Sequence, residues 1–133
     1  MSQEFQRCEY YRTPEGIHVM TYHGVGREAV NEFFTHFERA IAETPHGAVL
    51  RCLTDGTQIQ KTQPIAYLLS RTRVALSRYR HRPVYRVGVI SHDSSMVAIM
   101  NNMFRLVMRG RDRLRFFPAS QRQIAIDWLL EEP

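Results

Sequence analysis

Residues 84–118 read VYRVGVISHDSSMVAIMNNMFRLVMRGRDRLRFFP, and they contain the pattern that decides the fold. The apolar run VYRVGVIS predicts a buried strand, because a short apolar run bounded by polar residues is typical of a strand inside a sheet. The stretch from about Ser95 to Arg109 has the periodicity of a helix, and RLRFF predicts a further strand that ends at Pro118. This order predicts two parallel strands joined by a crossover helix.

The preceding residues extend the same alternation towards the N-terminus. FQRCEYY and IHVMTYH, separated by the turn sequence TPEG, predict a hairpin. A helix follows from about Arg27 to Glu43, then a short buried strand, AVLRCL, and a second helix that begins near Pro64. After the quoted stretch, Ser120 and Gln123 form a capping-box pattern for a final helix. The order β-β-α-β-α-β-α-β-α predicts an α/β fold with a mainly parallel mixed sheet covered by helices.

Length and composition are typical of one soluble domain, which we assign to residues 1–133. The hydrophobic fraction is 44% and the charged fraction is 23%,. No apolar run approaches the roughly 20 residues of a membrane helix, and the N-terminus lacks a secretory signal, so we expect a cytoplasmic protein without a membrane span. Cys8 and Cys52 form no CxxC pair, which predicts two free thiols.

The basic charge is concentrated in one part of the chain. Residues 1–60 contain five arginines and eight acidic residues, whereas residues 71–115 contain eleven arginines and two acidic residues. Arg71, Arg78 and Arg82 line one flank of the predicted second helix. Because arginine favours planar, bidentate partners, this flank is a candidate surface for an acidic protein, a phosphorylated ligand or nucleic acid. The alternative is a solvated basic face.

Residues 22–30, YHGVGREAV, match a permitted form of the dinucleotide-binding fingerprint through Gly24, Gly26 and Ala29,. The preceding strand carries two histidines and a threonine, whereas the first strand of a dinucleotide fold is apolar on both faces. Asp55 lies further along the chain than the roughly 20 residues at which the fingerprint places its acid. We therefore interpret the glycines as a tight strand-to-helix turn and assign no cofactor.

The quoted stretch and the final helix resemble the SpoIIAA-like proteins of the STAS/SEC14-like superfamily, the fold of bacterial anti-sigma-factor antagonists. Phe117 and Pro118 match the end of the family's last strand, and Ala125, Trp128 and Leu129 match its closing helix. The resemblance spans nearly the whole chain and implies a SpoIIAA-like fold. The matching patterns are structural, so they specify the fold more than an activity.

In the anti-sigma-factor antagonists, a partner kinase phosphorylates a serine in an Asp-Ser-Ser-Gly turn at the start of the second helix. The matching region here, LTDGTQIQKTQPIAYLL, contains no such turn, and its hydroxyl candidates are Thr57 and Thr62. Either threonine has the alternative role of a loop or capping hydroxyl. The segment HDSSM, with Asp93, Ser94 and Ser95, looks like the motif but follows the next strand, and we interpret it as the cap of the third helix.

Polar side chains at the carboxyl ends of the predicted strands form a candidate phospho-acceptor or ligand rim, because ligands of open α/β sheets bind beyond those ends. The rim comprises Asp55, Thr57, Thr62, Ser91, His92 and Asp93. For nucleophilic catalysis, the candidates are Cys52 and the Ser91–His92 pair. The sequence supplies no triad and no histidine pair at metal-binding helical spacing. We therefore predict no enzyme, no catalytic residue and no metal.

The third predicted helix carries more apolar residues than a surface helix needs. Met96, Met100, Met103 and Phe104 lie on it and, with the arginine flank, form a candidate interaction surface. The favoured hypothesis is a non-enzymatic binding or regulatory module that associates with a protein partner or with itself as a homo-oligomer. The alternative is a carrier or sensor of an apolar or amphipathic, lipid-like small molecule in a pocket beneath this helix. Nucleic-acid binding is a third hypothesis.

Overall fold

The computed structural model describes residues 6–105, 108 and 110–132, and the described residues form five strands and four α-helices. The strands are β1 (Cys8–Arg12), β2 (Ile17–Tyr22), β3 (Val49–Gly56), β4 (Val84–Ser91) and β5 (Arg113–Pro118). The helices are α1 (Arg27–Glu43), α2 (Ile65–Ser77), α3 (Val97–Arg105) and α4 (Arg122–Leu129). One-turn 3-10 helices at Ser94–Met96 and Ala119–Gln121 precede α3 and α4. The predicted α/β class and element order are confirmed.

The five strands form one mixed sheet in the order β1-β2-β3-β4-β5. β1 pairs antiparallel with β2, and all the other pairs are parallel. Met20 lies beside Thr54, Thr54 beside Val89, and Val89 beside Phe116, so these four residues form one row across the sheet. Because side chains alternate along a strand, every second residue from this row shares its face.

The predicted TPEG turn joins β1 to β2. The N–H of Gly16 donates to the carbonyl of Thr13 at 3.0 Å, and the N–H of Thr13 donates to the carbonyl of Ile17 at 2.9 Å. Gly16 has φ 92°, a conformation that favours glycine,. This turn folds β1 back onto β2 and leaves β1 as one edge of the sheet.

Helix α1 packs on the sheet through the apolar stripe that the sequence predicts. Its buried residues include Val30, Phe33, Phe34, Phe37 and Ile41. They share one hydrophobic core with sheet residues of the same face: Met20, Leu50, Cys52, Tyr85 and Val87. Burial of a large apolar side chain stabilises a fold by about 1.5–3 kcal/mol, so this stripe holds α1 in place.

Helix α4 covers the opposite face of the sheet. Ala125 and Leu129 pack into a second core with sheet residues Ile17, Val19, Leu53, Ile90 and Phe117. Two sheet arginines also bond the end of the helix: Arg51 Nε donates to the carbonyl of Leu129 at 2.7 Å, and Arg86 Nε donates to that of Trp128 at 2.9 Å. The last carbonyls of a helix have no partner within it, so these contacts fix α4 by its C-terminal end.

Two predicted helix ends differ from the structure. The third helix begins as the 3-10 turn Ser94–Met96 and continues as α3; Leu106, Val107 and Arg109, in its predicted last turn, lie outside the described residues. The capping box of the final helix is wrong. Ser120 lies inside the 3-10 turn that follows Pro118, too early to cap α4, and Gln123 bonds Asp127 at 2.9 Å instead.

Candidate functional site: an apolar cavity beneath the second helix

An apolar cavity of about 340 Å³ lies between the sheet and helices α1, α2 and α3. Its floor comprises Thr54, Tyr85, Val87, Val89, Leu114 and Phe116. Its walls comprise Phe33, Phe34 and Phe37 from α1, Leu68, Leu69 and Leu76 from α2, and Met96, Met100 and Phe104 from the third helical segment. This volume falls within the roughly 300–1,000 Å³ of small-molecule pockets, and such pockets are lined mainly by hydrophobic side chains.

Helix α2, which lies beside the cavity, buries little of its apolar face. Of the 13 residues of α2, Ala75 alone is buried. Leu68, Leu69 and Leu76 point to the cavity and are only half-buried. Protein interiors contain few voids larger than a water molecule, so a half-buried apolar helix face beside a cavity of this size is an unusual feature.

Polar contacts to α1 also hold helix α2. The buried carboxylate of Glu38 accepts a hydrogen bond from Arg78 at 2.8 Å and lies 3.6 Å from the guanidinium of Arg71. The Arg71 guanidinium also lies 5.1 Å from the centre of the Phe34 ring, and the Tyr79 hydroxyl donates to the carbonyl of Glu38 at 3.1 Å. Arg71 and Arg78, two members of the predicted interaction surface, are therefore both paired with Glu38 of the same protein.

The cavity has a charged rim at the amino-terminal edge of β4 and β5. Arg82, the third arginine of the predicted flank, forms an ion pair with the buried carboxylate of Asp112. Asp112 also accepts a hydrogen bond from the N–H of Tyr85 at 3.0 Å. Burial raises the pKa of Tyr85 to about 12, against the opposing effect of Arg82, so its hydroxyl stays neutral,. Arg73 is exposed and also lines the cavity.

Three of the predicted rim residues line the opposite, carboxyl-terminal edge of the cavity: Thr62, Ser91 and His92. The Ser91 hydroxyl donates to the carbonyl of Asp93 at 3.1 Å and accepts from the N–H of Asp93 at 3.2 Å. Its hydrogen bonds are therefore to the backbone of the next turn. Thr62 is exposed, which shows that the cavity reaches the protein surface at this edge.

Asp55 and Thr57 lie apart from those three residues. Thr57 donates to Asp55 through its N–H at 2.8 Å and its hydroxyl at 2.6 Å, and Arg122 donates to the same carboxylate at 2.6 Å. Asp55 lies beside Ile90 in the sheet, so its side chain faces α4, whereas Ser91 faces the cavity. The sheet thus divides the predicted rim into two groups on opposite faces.

Asp93 caps the third helical segment, as the interpretation of HDSSM predicts. Its carboxylate accepts from the N–H of Ser95 at 3.0 Å and from the Ser95 hydroxyl at 2.6 Å. These hydrogen bonds hold the pKa of the Asp93 carboxyl below its ordinary value,. Ser94 and Ser95 are exposed beside it.

Met96, Met100 and Phe104 of the predicted interaction surface line the cavity, and Met103 faces outward. Ile99 is exposed one turn before Met103. The surplus of apolar residues that the sequence shows on this helix is thus shared between the cavity and the outer surface.

The two candidate nucleophiles have no base beside them in the described contacts. Burial raises the pKa of the Cys52 thiol to about 12, and its sulfur lies 3.6 Å from that of Met20. The Ser91 hydroxyl bonds backbone groups, as given above. Within residues 6–105, 108 and 110–132, no three His, Cys, Asp or Glu side chains form a metal-binding group. None of the helices described is long and apolar enough to cross a bilayer.

The glycine turn before α1 is closed by a side chain from elsewhere in the chain. Gln63 accepts a hydrogen bond from the N–H of Gly26 at 2.9 Å and donates to the carbonyl of Gly24 at 2.7 Å. Gly26 has φ 120°, which favours glycine and confirms the interpretation as a tight turn,. Gln63 occupies a donor that a phosphate would need at this helix start.

Sequence reasoning missed the cavity walls on α1 and the charged residues Arg73 and Asp112. The three phenylalanines of α1 have ordinary core spacing, so the sequence supplies no signal that they line a cavity. For Arg73, the sequence does supply a signal that it stands apart from the predicted arginine surface: it lies on the flank of the second helix opposite Arg71 and Arg78.

Comparisons of the chain with protein-family models, with curated proteins and with solved structures find no match.

Proposed function

We propose that the protein binds an apolar or amphipathic, lipid-like small molecule in the cavity beneath α2 and α3, as a carrier or sensor without catalysis. The observation that carries this proposal is the 340 Å³ apolar cavity, beside which Leu68, Leu69 and Leu76 of α2 stay only half-buried. An apolar ligand covers the part of these side chains that the protein leaves exposed, at about 25 cal/mol for each Å² of apolar surface removed from water.

The lining supports an apolar occupant. The cavity reaches the protein surface at Thr62, so water can enter it. Ordered water needs two to four polar partners, and this lining is mainly apolar,. A ligand with an apolar body replaces that water with contacts to hydrophobic side chains.

Cavity-filling variants test the proposal. Leu69→Trp places a large side chain in the cavity, and Val74→Trp makes the same change at an exposed position of the same helix. We expect wild type and Val74→Trp to bind the apolar fluorophore Nile red at one saturable site, and Leu69→Trp to lose that binding. Val87→Phe fills the cavity from the sheet side and gives a second, independent variant.

The same proteins are examined by native mass spectrometry after purification from their own host. A bound lipid-sized mass on wild type and Val74→Trp, absent from Leu69→Trp, supports the proposal. Equal Nile red binding by the wild type and by both cavity-filling variants, with far-ultraviolet circular dichroism showing that all are folded, contradicts it.

Self-association through α3 is a second candidate function, and the exposure of Ile99 and Met103 favours it. These side chains are 54% and 40% exposed and lie four residues apart on one helix face,. Met103→Glu is expected to shift sedimentation equilibrium towards the monomer. Ile124→Glu, at an exposed position of α4, is the matched control. A monomeric wild type at high protein concentration rules this candidate out.

The SpoIIAA-like assignment and the cytoplasmic location belong to the same proposal. The order of strands and helices, with a single sheet and a closing helix that contains Trp128, supports the assignment. For the classical phosphorylation switch, Thr57 is hydrogen-bonded to Asp55 and the Asp93 segment is a helix cap, whereas Thr62 is exposed at the cavity edge.

A further inference from the structure

We infer that the ligand is an amphipathic acid whose anionic group binds Arg73 at the amino-terminal edge of the cavity, with its apolar tail extending towards Ser91. The inference rests on the proposed binding function and names the chemical class of the ligand. It is carried by the distribution of charge around the cavity.

The described lining is cationic. Asp112 is its one acidic residue, and that carboxylate is already held by Arg82 and by the N–H of Tyr85. Arg73, Arg82 and His92 are its basic residues. Arg82 and Asp112 form one ion pair, so Arg73 is the arginine of the described lining that has no acidic partner in it.

Arg73 is the residue with free bonding capacity. In the part of the chain that the structure describes, it has no ion pair or hydrogen bond, whereas Arg71 and Arg78 on the same helix both contact Glu38. Exposed arginines are ordinary on protein surfaces, but this one borders an apolar cavity. A guanidinium binds a carboxylate through two parallel N–H···O bonds, and such charge-assisted bonds are about twice as strong as neutral ones.

The topology places the charged residues at one edge. In a parallel crossover, the helix runs antiparallel to the strands, so the second half of α2 lies over the amino ends of the strands. Arg73 is in that half, Arg82 lies two residues before the start of β4, and Asp112 immediately precedes β5. Arg82 keeps further N–H donors, since its side chain is 51% exposed and its recorded ion pair is with Asp112,.

The remaining length of the cavity fits an apolar tail. Leu69, Val87 and Met100 line its middle, and Ser91 and His92 lie at the far edge, beyond the row of Val89 and Phe116. A tail that starts at Arg73 therefore lies along the sheet against hydrophobic side chains. This arrangement separates a charged edge from an apolar interior, as an amphipathic acid does.

The experiment compares decanoic acid with decan-1-ol as competitors of Nile red at neutral pH. The two molecules share one tail and differ in the charged group. We expect decanoate to displace Nile red at about tenfold lower concentration than the alcohol, the scale of a charge-assisted hydrogen bond. Arg73→Gln should abolish that preference, and Arg80→Gln, at an exposed position that does not line the cavity, should keep it.

The outcomes separate the two claims. Equal displacement by the acid and the alcohol overturns the anionic ligand and supports the cavity. A preference for the acid that persists in Arg73→Gln overturns the role of Arg73. If Leu69→Trp loses the Nile red binding of the wild type but neither decanoate nor decan-1-ol displaces the probe from the wild type, the amphipathic acid is overturned. If the wild type shows no saturable probe binding, the proposed function itself is overturned.

Discussion

The side-chain oxygen of Gln63 accepts a 2.9 Å hydrogen bond from the backbone N–H of Gly26, at the start of α1. The amide nitrogen of the same side chain donates to the carbonyl of Gly24 at 2.7 Å. Gln63 also lines the cavity immediately before α2. One buried side chain thus connects the beginnings of α1 and α2 at the carboxyl-terminal edge of the cavity.

Gln63→Ala is expected to lower the free energy of unfolding by about 1–3 kcal/mol, because it leaves the N–H of Gly26 and the carbonyl of Gly24 without partners. Urea unfolding measures the change. Gln60→Ala, at an exposed position of the same loop, should change stability by less than about 0.5 kcal/mol,. Equal effects of the two substitutions would show that the contact to Gly26 does not support the fold.

Glu38→Gln is expected to destabilise the protein by about 1.5–3 kcal/mol, because the buried carboxylate holds both Arg71 and Arg78,. Arg78→Gln should cost about 1 kcal/mol or less, since the Arg78 side chain is 55% exposed and solvent screens the pair,. Arg80→Gln is the matched exposed control on the same segment. Thermal unfolding ranks the three variants by their loss of stability. A larger loss in Arg78→Gln than in Glu38→Gln would contradict this account of how α2 is held.

Stability is expected to fall as the pH is lowered through 6.5. Nδ1 of His18 lies 2.8 Å from the Tyr10 hydroxyl, and the rings of His18 and His36 both stack on Tyr10. Burial and the positive charge of Arg12 lower the pKa of His18 from its ordinary 6.5, and the negative charge of Glu43 opposes this shift. Burial and the positive charge of Arg39 lower the pKa of His36. A hydrogen bond to the Cys8 backbone and the negative charge of Glu32 oppose this shift.

Because the folded pKa values are depressed, the unfolded chain binds more protons below pH 6.5,. The two neutral histidines therefore make their full contribution to the free energy of unfolding above pH 6.5, and this contribution is lost as the pH falls below that value,. Urea unfolding from pH about 7.5 to about 5.5 measures the slope, and His18→Gln with His36→Gln should flatten it. An unchanged slope in the double variant would assign the loss to other groups.

Arg86→Lys is expected to loosen α4 and to cost about 1–3 kcal/mol. The Arg86 guanidinium lies 4.1 Å from the centre of the Trp128 ring while Nε bonds the Trp128 carbonyl, and a lysine ammonium reproduces only one of these contacts,. Trp128 is the single tryptophan, so its fluorescence reports the change locally. Arg115→Lys, on an exposed residue 4.8 Å from the Phe117 ring, should have a smaller effect and leave the emission unchanged.

The sequence predicts the elements well because their signals are local. The stripe of α1 and the turns that bound it give the observed limits, Arg27 and Glu43. The cavity has no local signal. Leu68, Leu69 and Leu76 have the same helical spacing whether they pack tightly on a sheet or border a space. The position of α2 depends on contacts distant in sequence, such as that between Arg78 and Glu38.

The candidate ligand rim shows that sequence-based prediction is limited in the same way for single residues. Asp55 and Ser91 both lie at the carboxyl ends of neighbouring strands, as predicted. Their register pairs Asp55 with Ile90, one residue before Ser91, and side chains of adjacent residues point to opposite faces,. Arg122 therefore donates a hydrogen bond to Asp55 on the α4 face, and Ser91 lies on the cavity face.

Methyl-resolved nuclear magnetic resonance during titration with decanoate tests the central claim most directly. The account predicts saturable shifts of the Leu69, Val87 and Met100 methyls, which line the cavity, with the methyls of Leu53 and Leu129, buried against α4, unchanged. Shifts confined to the α4 face, or no saturable shift at the cavity methyls, would contradict it.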